Sequence, residues 1–160
     1  MVKTILTQIC ITFLFLLFVY TSASKFLDHD KFVFQMQLAP VPLMKILAPL
    51  FGWLVPSVEM IIAIGFAVGF FIPSIKIKSL YASVILLGAF EFYIVIMLLS
   101  GSQLPCTCGG IVSQMGWKQH LFFNGFLIVT SILSIRYLKN HTIPTSSEHD
   151  KGEFKELSRA

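Results

Sequence analysis

The side chains with the most chemical potential stand close together in Leu104-Pro105-Cys106-Thr107-Cys108-Gly109-Gly110. Two thiols one residue apart can exchange a disulfide with a partner, hold a thiophilic metal, or serve structure alone. For exchange, the thiolate is the attacking species, so reactivity follows access and stabilisation of the anion. A Cys-x-Cys ring departs from relaxed disulfide geometry, and strain makes a disulfide easier to reduce. Gly109 and Gly110 leave room beside the sulfurs for a partner's backbone, and Pro105 stiffens the approach. A metal site would need further ligands, for which His120 and His29 are the nearest candidates. Zinc sites space their cysteines by about two to four residues, so this pair suits soft Cu(I) better than zinc.

Other polar residues fall where apolar ones are expected. His120 is the nearest titratable base downstream of the pair and can stabilise a thiolate. Asn124, one helical turn later, shares its face. Glu59 and Glu91 each interrupt a long apolar run. A charged carboxylate in a bilayer is costly, so each is expected to face the interior of a helix bundle. The plain role is an interhelical hydrogen bond; the sharper one is a proton or quinone site coupled to thiol redox. No Lys, Arg or His is expected within a helix to pair with either, which favours the hydrogen bond and predicts that Glu→Gln is mild at both positions. Cys10 sits inside an apolar run and reads as a small hydrophobe.

The elements that must carry these residues are membrane spans. Of the 160 residues, 56% are hydrophobic and 12% charged, whereas a soluble domain carries about 25% charged residues. A helix needs about 20 apolar residues to cross the hydrocarbon core. Four stretches qualify, at about 4–23, 46–72, 79–99 and 120–138. The fold class expected is an all-α membrane protein: a four-transmembrane-helix bundle over residues 1–139, followed by a polar, disordered tail over 140–160. The first stretch exceeds the 7–15 residues usual for the apolar part of a signal peptide, and is expected to be a retained helix. Pro56 is expected to tilt or kink the second. Gly65 and Gly69 form a small-xxx-small pair suited to close helix packing. Trp53, Trp117, Tyr20, Tyr81 and Tyr137 lie near helix ends, as an interfacial aromatic belt requires.

The connections differ. Residues 24–45 are too apolar for a free linker and should lie on the membrane surface or over the bundle. Residues 73–78 read as a short turn. The net charge of +4 is no nucleic-acid footprint, because the basic residues sit singly at the ends of apolar runs. Lys3, Lys76, Lys78, Arg136 and Lys139 fall on the side of the termini, and Lys25, Lys31, Lys45 and Lys118 on the other. That narrow bias puts the termini inside and the segment 100–119 outside.

Several stretches together resemble the MauE-like branch of the DoxX-like bacterial membrane proteins. They are Tyr20-Thr21-Ser22-Ala23-Ser24-Lys25-Phe26-Leu27-Asp28, Val55-Pro56-Ser57-Val58-Glu59, Cys106-Thr107-Cys108-Gly109-Gly110, and Met115-Gly116-Trp117-Lys118-Gln119-His120-Leu121-Phe122-Phe123-Asn124. The resemblance spans about residues 4–138. It implies a four-helix protein of the bacterial inner membrane, in a family linked to maturation of methylamine dehydrogenase, whose small subunit is periplasmic and disulfide-rich. By that analogy Cys106 and Cys108 are the redox pair and the loop is extracytoplasmic. The partners implied are the lipid bilayer and thioredoxin-like or other extracytoplasmic thiol proteins, with no nucleic acid and no resident cofactor. Two other functions fit the residues: a soft-metal binding or transport protein using Cys106, Cys108 and His120, and a non-catalytic assembly subunit.

Overall fold

The computed structural model describes residues 2–39, 43–100 and 116–142. Among these residues five helices follow one another: α1 (Val2–Leu27), α2 (His29–Gln37), α3 (Met44–Gly69), α4 (Pro73–Leu99) and α5 (Trp117–Thr142). All but α2 are long and apolar enough to cross a membrane. Their packing is antiparallel in sequence order, with α1 against α3, α3 against α4, and α4 against α5. A contact between α1 and α5 completes the bundle, and Thr4 Oγ1 lies 2.7 Å from Tyr137 Oη at the end that carries the N-terminus of α1.

The distribution of apolar residues is that of a protein solvated by lipid. Ile5, Leu6, Ile9 and Leu16 on α1, Ile61 and Ile64 on α3, Ile85 and Phe92 on α4, and Phe122 and Leu133 on α5 all face outward. A water-soluble monomer does not expose continuous apolar surface on this scale. The core runs through Ile11, Leu14 and Phe18 of α1, Ile62 and Phe66 of α3, Leu80 and Leu87 of α4, and Leu127 of α5. The Phe18 and Phe66 rings stack with centroids 6.4 Å apart. Lipid tails are as apolar as Leu, so close packing and internal hydrogen bonds must hold the helices together. Small buried residues allow that approach: Ser83 on α4, and Ser131 and Ser134 on α5. Their hydroxyls donate to carbonyls of their own helix, those of Leu80, Leu127 and Thr130, so each polar group is satisfied without water.

Several boundaries differ from those read along the sequence. Residues 73–78 are the first turns of α4, not a connection. Pro73 takes the first helical position, where its missing N–H costs nothing and its fixed φ suits the helix. The turn between α3 and α4 is therefore only Phe70–Ile72, and Gly69 and Gly65 both face the start of α4. A Cβ on Gly69 would lie 2.8 Å from Lys76 Cα, and one on Gly65 would meet the Ser79 hydroxyl. The segment 24–45 is also largely helical. The last turn of α1 reaches Leu27, and α2 docks Phe32 and Met36 against Ala48 on α3. Helix α3 runs unbroken through Pro49 and Pro56. Helix α5 continues to Thr142. The tail assigned to 140–160 lies outside the described residues from 143 onward, and so does the segment with Cys106 and Cys108.

Candidate functional site

Three helices turn polar faces toward one point inside the bundle. On α1 the inward stripe Ile11, Leu14, Phe18, Ser22 continues one turn further to Lys25. On α3 the inward stripe Ala48, Gly52, Pro56 reaches Glu59, then Ala63 and Phe66. On α5 the buried positions begin with His120 and Asn124 and continue through Leu127 and Ser131. Each stripe has the three- and four-residue spacing of one helical face, so four polar side chains occupy core positions.

Lys25 and Glu59 form a buried ion pair. Lys25 Nζ donates to Glu59 Oε1 at 2.6 Å, and the side chains are 3% and 1% exposed. Contrary to the expectation from the sequence, Glu59 has a cationic partner inside a helix. The apolar run alone ends at Ala23 and leaves Lys25 in the connection as a headgroup lysine, whereas α1 continues to Leu27 and carries it into the core. The helical stripe on α1 was the signal that could have found it. Next to the pair, Ser22 Oγ donates to the Pro56 carbonyl at 2.8 Å, which ties α1 to α3 at the same level. Pro56 has no N–H, so the Gly52 carbonyl one turn earlier lacks its intrahelical donor. The rings of Phe32 and Phe90 flank the ammonium, with centroids 5.8 Å and 5.6 Å away. A cation over aromatic faces is favoured where water is excluded.

A cavity of about 30 Å³ lies beside the pair, lined by Lys25, Glu59, His120, Asn124, Thr21 and Phe123, among others. That is room for a water molecule or two. Glu59 Oε2 and Asn124 Nδ2 are buried and have no hydrogen-bond partner among the described residues. The walls are mostly apolar, and these two atoms are the places where a bound water would find partners. The arrangement sets a carboxylate and an imidazole, two groups able to exchange protons, on one cavity.

The residues singled out in the sequence divide into separate places. Glu59 and His120 are brought together at this cavity, with Asn124 on the face of α5 that it was expected to share with His120. Glu91 does not line it. Glu91 lies on α4 toward α5, where its Oε1 is 3.6 Å from the place a Cβ on Gly125 would take. Its Oε2 is buried and unpartnered among the described residues. The His29 ring lies tilted at 36° against that of Trp53, with centroids 4.4 Å apart, on the α2 side of α3. Cys10 is a free thiol packed against the core. Among the described residues no three His, Cys, Asp or Glu side chains form a metal-binding group.

Comparison with known proteins assigns the chain to a family. Searches of curated proteins and of solved structures found no match. The family model described as "Methylamine utilisation protein MauE" matches residues 3–137, a stretch that takes in α1 to α4 and nearly all of α5. With four helices able to span a membrane and an apolar outer surface, the chain is a multi-pass membrane protein and belongs to the MauE family.

Proposed function

We propose that this protein is a membrane thiol–disulfide maturation factor for extracytoplasmic proteins, with Cys106 and Cys108 as the redox pair. One structural observation supports the reading. The two helices that flank the cysteine segment, α4 and α5, meet it at the bundle end that carries His120, and His120 borders a buried Lys25–Glu59 pair. A purely structural bundle has no need of a desolvated ion pair, which is weak support for stability. Near a thiol pair, the same groups can stabilise a thiolate and take up or return its proton.

The exchange moves two electrons from the substrate thiols to the pair, and an oxidised thioredoxin-like partner, taking two electrons and two protons, re-forms the Cys106–Cys108 disulfide for the next turnover. A substrate thiolate attacks the Cys106–Cys108 disulfide, whose S–S bond breaks as a mixed disulfide forms. The second substrate thiolate attacks that mixed disulfide and displaces the remaining sulfur. The substrate leaves as a disulfide, two electrons stay on the pair, and the two protons shed by the substrate thiols complete the dithiol. His120 has the role of holding the departing thiolate.

Alkylation mass shifting in intact cells tests the reading. The expected result is that Cys106 and Cys108 change state together, that Cys10 stays reduced, and that serine at either loop position abolishes function. The remaining thiol should then trap a partner as a mixed disulfide. A pair that stays reduced in an oxidising compartment, with both serine variants active, would leave an assembly role in its place.

A further inference from the structure

Lys25 and Phe90, which line the small cavity, also line a second one of about 330 Å³, bounded by residues of α2, α3 and α4 that include Phe32, Phe51, Tyr93 and Leu54. We propose that this cavity binds a neutral, carbonyl-bearing ring compound dissolved in the bilayer, a quinone, with one carbonyl on the Lys25 ammonium. The volume falls in the range of small-molecule sites and is far beyond a packing defect. The walls are apolar and aromatic, which suits a flat ring. Leu54 at the rim is 47% exposed, so the cavity opens on the surface that faces lipid. An ammonium carries three donor protons, and Glu59 Oε1 is the hydrogen-bond acceptor that Lys25 meets among the described residues.

The charge balance selects the head group. Lys25 is already neutralised by Glu59 at 2.6 Å, so a carboxylate or phosphate entering here would find no net positive charge. It would instead meet the repulsion of Glu59 in a medium of low dielectric. A neutral carbonyl needs only the spare N–H. The aromatic walls, including the Phe32 and Phe90 rings beside the ammonium, favour a ring over a bare acyl chain. This binding site stands on the cavity and the ion pair and does not depend on the redox state of any cysteine.

The test uses the full chain in nanodiscs with a photoreactive short-chain ubiquinone, its labelled peptides mapped by mass spectrometry. Labelling is expected on 51–58 or 86–93 and should saturate. Unlabelled decylubiquinone should compete, while palmitate and diacylglycerol should not. Ala89→Phe adds a ring at an exposed lining position and leaves Lys25 and Glu59 unaltered, and should weaken competition about tenfold or more at unchanged thermal stability. Labelling that does not saturate, that palmitate or diacylglycerol displaces equally well, or that is the same in Ala89→Phe would overturn the proposal and assign the cavity to a lipid chain or to no ligand.

Discussion

At the scale of single residues, the Lys25–Glu59 pair dominates. Two charges taken out of water repay their desolvation only while they hold each other, and removing one strands the other. Lys25→Met or Glu59→Gln alone should therefore cost about 3–5 kcal/mol of stability, read as loss of folded protein in detergent unfolding. The double variant Lys25→Met/Glu59→Leu should recover most of it while losing whatever function the pair serves. If the single variants are as stable as the double, the pair is not carrying charge. Glu91 provides the contrast. No cation is shown beside it among the described residues, so Glu91→Gln keeps its hydrogen-bonding capacity and should unfold within about 0.5 kcal/mol of the parent. A large loss there would mean that Glu91 also works as an anion.

Among the elements, the α3–α4 turn and the docking of α2 depend on the absence of side chains. Gly69 faces the backbone of Lys76, with a Cβ position 2.9 Å from its nitrogen, and backbone cannot step aside. Gly65 faces the Ser79 hydroxyl, which can rotate away. Gly69→Ala should thus cost about 1–3 kcal/mol and Gly65→Ala distinctly less, a ranking that thermal melts in detergent would settle. Equal effects would mean that α4 shifts as a body. Gly52 sits under α2, where a Cβ would meet Val33 and come within 3.1 Å of His29 Nε2. Gly52→Leu should lift α2 from α3 and raise its amide hydrogen exchange while leaving α4 and α5 protected. Unchanged protection in α2 would show that its docking tolerates the added bulk.

For the whole molecule, the burial of Lys25 alters the argument about orientation. A lysine held in a core ion pair does not vote as a headgroup lysine. With it set aside, Lys31, Lys45 and Lys118 oppose Lys3, Lys76, Lys78, Arg136 and Lys139, all near helix ends. The bias toward termini inside is wider than the sequence count suggested. A reporter fused after Asn140 should therefore be active in the cytoplasm and silent outside, and an impermeant thiol reagent should reach Cys106 and Cys108 from outside. A fusion active only on the outer side of the membrane would invert the topology and remove extracytoplasmic proteins as substrates. The same antiparallel order puts α2, the start of α3 and the start of α5 at one end, so both cavities lie toward the end from which the cysteine segment departs.

The number and nature of the long helices were legible because span length and apolar content are properties of a contiguous stretch, and the bilayer imposes both. The cost of an ionised group in lipid likewise marked Glu59 and Glu91 as residues in need of an explanation. The identity of the partner was not legible. Lys25 and Glu59 stand on different helices, and whether two stripes face each other depends on rotation and axial offset, which no single segment encodes. The amphipathic turns around α2 were ambiguous for a related reason: a short helix is marginal alone and forms when it has a surface such as α3 to cover. The tertiary structure alone joined Lys25, Glu59, His120 and Asn124 around one void and left a second, apolar one behind them, because cavities are made by the gaps between helices and belong to no helix by itself.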